Sequence, residues 1–362
     1  MADAIRTKPA LAFDTEFDSF KRSYGFTLHL IQVYDGETVY LVDPLALTDL
    51  SALWRIMEDR SVRKVGYALG EDVRLMKSHG CQPHHLVDIQ IARRLCNRTE
   101  AGLARSLEED LGVALDKASQ TSDWSKRPLS DEQLRYLSND VIHLFRLEED
   151  NRSYTADPYL CRVMEEEMRL LEQVDPAQHV VQLSRAQLKK YAGPAQESLL
   201  ALLRVRDDIA RELRVPPNFV VQNELLESLL VHRDAFLADP FNRGFHPQVR
   251  SRAAYRTAFL DAVRTIPDEL EARREASTLT REEKMALREA RLDREEVVMN
   301  RVLLPLEAAL LARYGEEVVR FLMRGVRKTI VLPDPDYQSI RPYQWELVRP
   351  YLEAGEGAEA DQ

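Results

Sequence analysis

The sequence predicts an α/β domain followed by all-α modules, and three observations carry that prediction. Strand-like runs alternate with helical periodicities over residues 1–150. Strand signals then nearly vanish. Glycine and proline breaks divide the remainder into amphipathic helical segments. At 362 residues the chain is long enough for two or three cores. Hydrophobic content of 44% and charged content of 30% are ordinary for a soluble protein, and no apolar run reaches the ~20 residues of a membrane span. Cys81, Cys96 and Cys161 are too few and too scattered for a disulfide framework, and Met1–Pro9 lacks the apolar core of a secretory signal. A reducing cytoplasm is the expected compartment. The net charge of −10 argues against a broad surface coating nucleic acid, while leaving room for a local basic groove.

The elements follow in order. Ala10–Phe13 is an apolar run that reads as a buried strand ending at Asp14 and Glu16. Gly25–Tyr34 alternates and is rich in strand formers, Asp35-Gly36 signals a turn, and Thr38–Asp43 is the returning strand of a hairpin. Thr48 or Asp49 caps a helix whose apolar face is Leu50, Leu53, Trp54 and Met57. Val62–Ala68 reads as a strand, and Gly70 with Glu71-Asp72 opens a helix. Leu86–Ile89 is a short strand running into a helix over Gln90–Cys96, and another helix spans about Gly102–Leu111. Ser130 and Gln133 make a capping box for the helix that holds Tyr136 and Asp140.

Chemistry concentrates in Leu11-Ala12-Phe13-Asp14-Thr15-Glu16-Phe17. Residues i and i+2 of a strand share a face, so Asp14 and Glu16 can aim at one point. Two ionised carboxylates ~4 Å apart repel by ~4 kcal/mol at an effective dielectric near 20. A cation between them removes that cost, and so does a proton on one. Oxygen-only ligands suit magnesium or manganese better than zinc. A strand that simply ends in a polar turn is the alternative. Glu71 and Asp72 suit a helix N-terminus electrostatically, yet they also repeat the pattern of an acid at a strand end. Tyr136 and Asp140 lie one turn apart on one helix face. His79, Cys81, His84 and His85 do not match a common structural zinc spacing.

Phe13-Asp14-Thr15-Glu16-Phe17, Gly70-Glu71-Asp72 and Tyr136-x3-Asp140, in this order, resemble the tyrosine-bearing subclass of the DEDD exonuclease superfamily. Leu30-Ile31-Gln32, Asp88-Ile89-Gln90-Ile91-Ala92 and Ser122-Asp123-Trp124-Ser125-Lys126-Arg127-Pro128-Leu129 look like the ribonuclease D family in particular. Leu137-Ser138-Asn139 departs from it, since small residues such as alanine are usual there. The resemblance implies a ribonuclease H-like mixed sheet flanked by helices. It also implies two divalent cations (Mg²⁺ or Mn²⁺) held by Asp14, Glu16, Asp72 and Asp140, with Asp14 bridging and Asp72 acting through water. Tyr136 would orient the attacking water, because an ordinary phenol with a pKa near 10 is a poor base at neutral pH. Trp124 and Arg127 are candidates for stacking on and pairing with substrate, with a structural role for Trp124 as the alternative.

Past residue 150, Arg204-Val205-Arg206-Asp207, Ala210-Arg211-Glu212-Leu213, Val215-Pro216-Pro217-Asn218 and Asn223-Glu224-Leu225-Leu226 resemble the HRDC module that follows the nuclease domain in this family. Leu203 stands where a tryptophan is common. The expected division is a nuclease domain over 1–150, a helical connector over 151–194, an HRDC-like domain over 195–275, a second helical module over 276–352, and a disordered acidic tail over 353–362. The function implied is a monomeric 3′-to-5′ exoribonuclease acting on RNA 3′ ends such as transfer-RNA precursors. A DNA exonuclease and a non-catalytic nucleic-acid adaptor are the alternatives.

Overall fold

The computed structural model describes residues 1–20, 23–115, 122–176, 180–241, 244–267, 285, 292, 295–331, 335 and 337–360. Five strands form one mixed sheet: β1 (Ala10–Ser19), β2 (Phe26–Tyr34), β3 (Val39–Val42), β4 (Arg63–Gly66) and β5 (Leu86–Asp88), in the order β3-β2-β1-β4-β5. The predicted hairpin is present, with β2 and β3 antiparallel and Ile31 opposite Val42. β4 runs parallel to β1, with Ala12 opposite Val65, and parallel to β5. Crossovers of this kind need intervening helices, and Ser51–Met57 and Gly70–Ser78 fill that role. Strand β1 is longer than its apolar run. It continues through Ser19, so Asp14 and Glu16 sit within the strand and not at its end.

The chain forms two compact units. The first comprises Met1–Thr15, Leu30–Pro176 and Leu279–Gln362. Its core joins the sheet to three helices: Ala12 and Val65 pack with Leu107, Val141, Leu144 and Leu147, all fully or almost fully buried. Leu107 comes from the helix Leu103–Leu111, Val141 from Asp131–Ile142, and Leu144 and Leu147 from Leu144–Asp150. The C-terminal helices belong to this unit too. The amide of Glu317 donates to Asn97 at 2.9 Å, and the Tyr343 hydroxyl donates to Glu167 at 2.7 Å. The helix Pro342–Ala360 carries the backbone through most of the acidic tail, for which the sequence predicts no structure. Among the described residues no helix is long and apolar enough to cross a membrane.

The second unit comprises Glu16–His29 and Ala177–Thr278. Its bundle is built on the helix Pro194–Leu213, which starts with proline at its first position and ends at Arg214 in a left-handed conformation. Leu199, Leu202, Phe245 and Phe259 are buried at its centre. Arg206 ties two later segments to this helix, donating to Asn218 at 3.1 Å and to Asn223 at 2.6 Å. Tyr24 packs against the same core, and its hydroxyl donates to Asp207 at 2.6 Å.

Candidate active site

Asp14 and Glu16 come from the middle of β1, and Asp140 from the helix Asp131–Ile142. Strand alternation puts the first two on one face. The capping box sets where the helix starts: the Ser130 hydroxyl accepts from the Gln133 amide at 3.2 Å, and the Gln133 side chain accepts from the Ser130 amide at 2.9 Å. Asp140 then falls over β1. One ligand oxygen from each of the three acids lies within 4.8 Å of the other two. Asp14, Tyr136 and Asp140 line a cleft of about 360 Å³ with Tyr67, Leu103 and Leu144.

The electrostatics of this cleft suit a bound cation. Asp140 is only 5% exposed, and its Oδ2 has no hydrogen-bond partner. Burial pushes the Asp140 carboxyl up to about 7, against a hydrogen bond from Tyr136 that favours the ionised form. An orphaned buried oxygen beside two further carboxylates is a polar deficit that a divalent cation would satisfy, and hard oxygen donors suit magnesium-like ions. Asp14, Glu16 and Asp140 fit such a group. Burial likewise pushes Asp72 up to about 6, opposed by the hydroxyl of Thr15, which donates to it. Asp72 lies outside the trio and is linked to β1 through Thr15.

Two residues that the sequence points to as substrate contacts also have partners within the protein. Trp124 is 3% exposed, and its ring packs 5.7 Å from that of Tyr136. Leu30 and Leu137 complete that apolar cluster. Arg127 makes a two-pronged pair with Asp43, Nε to Oδ2 at 2.5 Å and Nη2 to Oδ1 at 2.9 Å, which holds the Asp43 carboxyl below its ordinary range. The guanidinium also donates to the Trp124 carbonyl at 2.8 Å. This segment therefore braces Tyr136 from behind.

Asp88 has a role that residue-by-residue reading misses. It accepts from the amides of Ala68 and Leu69 at 2.9 Å each, and from Gln90 at 2.9 Å. This pins the turn that leads into Gly70 and Asp72, where Ala68 adopts φ +56°. Gly66 lets the turn close: a Cβ there would sit 3.1 Å from the Phe13 carbonyl and collide with Leu69. The sequence signal for it is the stretch Asp88–Ala92, which carries the family resemblance. His84, in the rejected zinc cluster, pairs with Glu172 at 2.9 Å.

A ribonuclease H-like sheet with three clustered carboxylates and an adjacent tyrosine defines a nuclease of the 3′-to-5′ exonuclease class, and the family model for 3′-5′ exonucleases matches residues 1–150. The chain is 34% identical to ribonuclease D of Escherichia coli over 279 residues, which is 74% of this chain and 73% of that protein. It is 32% identical to ribonuclease D of Xanthomonas oryzae pv. oryzae over 269 residues, 72% and 74% of the two chains. It belongs to the ribonuclease D family and is a 3′-5′ exoribonuclease. The crystal structure of Escherichia coli RNase D, described as an exoribonuclease involved in structured RNA processing, superposes with a TM-score of 0.67 at 26% identity. That match covers 98% of this chain and 94% of the other. A Bifidobacterium adolescentis protein shares the fold, with a TM-score of 0.73 at 20% identity and coverage of 98% and 93%.

Proposed function

We propose that the chain trims structured RNA, including transfer-RNA precursors, by hydrolysing one phosphodiester at a time from the 3′ end. The observation that carries this reading is the trio Asp14, Glu16 and Asp140, of which Asp140 keeps a buried oxygen without a hydrogen-bond partner. In this reading Asp14, Glu16, Asp72 and Asp140 hold two divalent cations, magnesium or manganese. Cations held there would stabilise the negative charge that develops on the phosphate and leaving oxygen. The chain's own residues do the rest. Tyr136 orients the attacking water through its hydroxyl while also bonding Asp140. Trp124 fixes the ring of Tyr136, and Arg127 with Asp43 fixes the segment behind Trp124. Thr15 and Asp88 hold Asp72 and its turn beside β1. Leu103 and Leu144 wall the cleft and limit bulk water. The chain works as a monomer in the cytoplasm in this reading.

The test uses matched 5′-labelled substrates, a 3′-extended RNA and a single-stranded DNA, each with magnesium, with manganese and with a chelator. The expected result is a metal-dependent ladder shortening from the 3′ end of the RNA. Equal digestion of the DNA would replace RNA by nucleic acid in general. Binding without any product would make the chain an adaptor.

A further inference from the structure

A second cleft, larger than the acidic one, encloses about 580 Å³. It is lined by Ala68, Gly70 and Glu71, which lead into Asp72, and by three arginines, Arg94, Arg324 and Arg341. Arg94 is 5% exposed, and its guanidinium lies 5.0 Å from the centre of the Phe321 ring. Nη1 pairs with Glu100 at 2.8 Å, but Nε has no partner. Burial is the largest influence on Arg94, weakening its hold on its proton; Glu100 and Glu317 oppose this, and the Arg324 and Arg320 charges add to it. Arg94 therefore brings a buried, unpartnered donor to a cleft that two further arginines also line, a polar deficit that an added acceptor would answer.

Acids line the same cleft, but most of their charge is already answered. Glu167 pairs with Arg341 and accepts from Tyr343. Asp88 accepts from two backbone amides of the Ala68–Leu69 turn. Glu71 and Arg324 are both exposed. The lining also has apolar members, Ile91, Leu170, Leu171 and Val174. A flat base can lie on such side chains while its phosphate meets a guanidinium.

We propose that this cleft is a second nucleotide-binding site, in which Arg94 and Arg324 take a phosphate and the apolar side chains take the attached base. The nucleotide is an internal unit of the RNA whose 3′ end is being trimmed, so this proposal rests on the RNA reading above. A free nucleoside 5′-phosphate presents the same chemistry and is the other possible source.

The test is made on the full chain with Arg324→Glu, a surface change, and with Arg94→Met as a second variant. Binding of a long 5′-labelled RNA is measured by anisotropy in chelator across a salt series. Turnover of a trinucleotide is measured separately with magnesium. Each variant is expected to weaken long-RNA binding about tenfold and to lower the log–log salt slope by about one. Trinucleotide turnover and the melting temperature of Arg324→Glu stay at wild-type values. Calorimetric titration with adenosine 5′-monophosphate distinguishes the sources: one-site binding that Arg324→Glu abolishes, with long-RNA affinity unchanged, supports the site with a free nucleotide as its ligand. Unchanged affinity for both the RNA and the nucleotide overturns the proposal. Failure of the wild-type chain to shorten the trinucleotide would count against the exonuclease reading alone.

Discussion

Two clefts meet the same stretch of chain with different polar deficits. Tyr67 lines the smaller one, where Asp14 and Asp140 are crowded with Glu16, and Ala68 to Glu71 line the larger one, where Arg94 and Arg324 gather. In each, buried polar atoms lack partners: Oδ2 of Asp140 in the first, Nε of Arg94 in the second. Three carboxylates within 4.8 Å cost ~3–4 kcal/mol per ionised pair at an effective dielectric near 20, so the acidic cleft calls for a cation. The second cleft has an unused buried donor in Arg94, which calls for an acceptor. Glu71, Asp88 and Glu167 line the larger cleft too, but among the described residues the acids crowded within reach of one ion are Asp14, Glu16 and Asp140. Polar deficit and charge crowding distinguish the two.

The sharpest way to break this contrast is to remove one acid. Asp14→Asn keeps the size of the side chain and removes its charge. Turnover is expected to fall by about 10³-fold or more, while RNA affinity in chelator stays close to wild type. Magnesium-dependent shortening at near wild-type rate would remove Asp14 from the chemistry.

A smaller loss tests the tyrosine and its support. Tyr136→Phe retains the ring against Trp124 and removes only the hydroxyl. A fall in turnover of about 10²-fold with unchanged KM is expected, in the range for a lost positioning or acid–base group. Equal turnover would make the ring a packing element and nothing more.

How much of this was legible in sequence depended on the distance over which each role is decided. Asp14 with Glu16, and Tyr136 with Asp140, are related by local periodicity alone, so their shared faces could be read directly. The capping box at Ser130 is equally local. The hairpin and the strand after the first helix were also readable, with bounds shifted by a residue or two. The role of Trp124 was not. Its burial depends on Leu30, nearly a hundred residues earlier, and Arg127 is held by Asp43 across a comparable gap. The arginine cleft was invisible for the same reason. Arg94 and Arg324 become neighbours only because the C-terminal helices pack back on the first unit, and nothing in the local sequence around either arginine encodes that return.

The smallest effect concerns protons, and its sign is fixed by Asp140. Without a cation, burial holds this carboxyl protonated up to about pH 7, well above the value near 3.9 of an unfolded aspartate. Between those two values the folded chain binds the extra proton, so this group's contribution to stability is greatest at low pH. It is lost as pH rises through about 7. A cation reverses the balance, because the ligand must first give up its proton. Two results are expected. In chelator, Asp140→Asn is more stable than wild type at pH 8, and the difference shrinks towards pH 5. For the wild-type chain, manganese affinity measured by calorimetry tightens on going from pH 6 to pH 8. Below the carboxyl's pKa the change approaches about tenfold per pH unit for one displaced proton. An affinity flat across that range would mean that the acidic cleft is already ionised before the cation arrives. The contrast between the two clefts would then be held in place by some other group than Asp140.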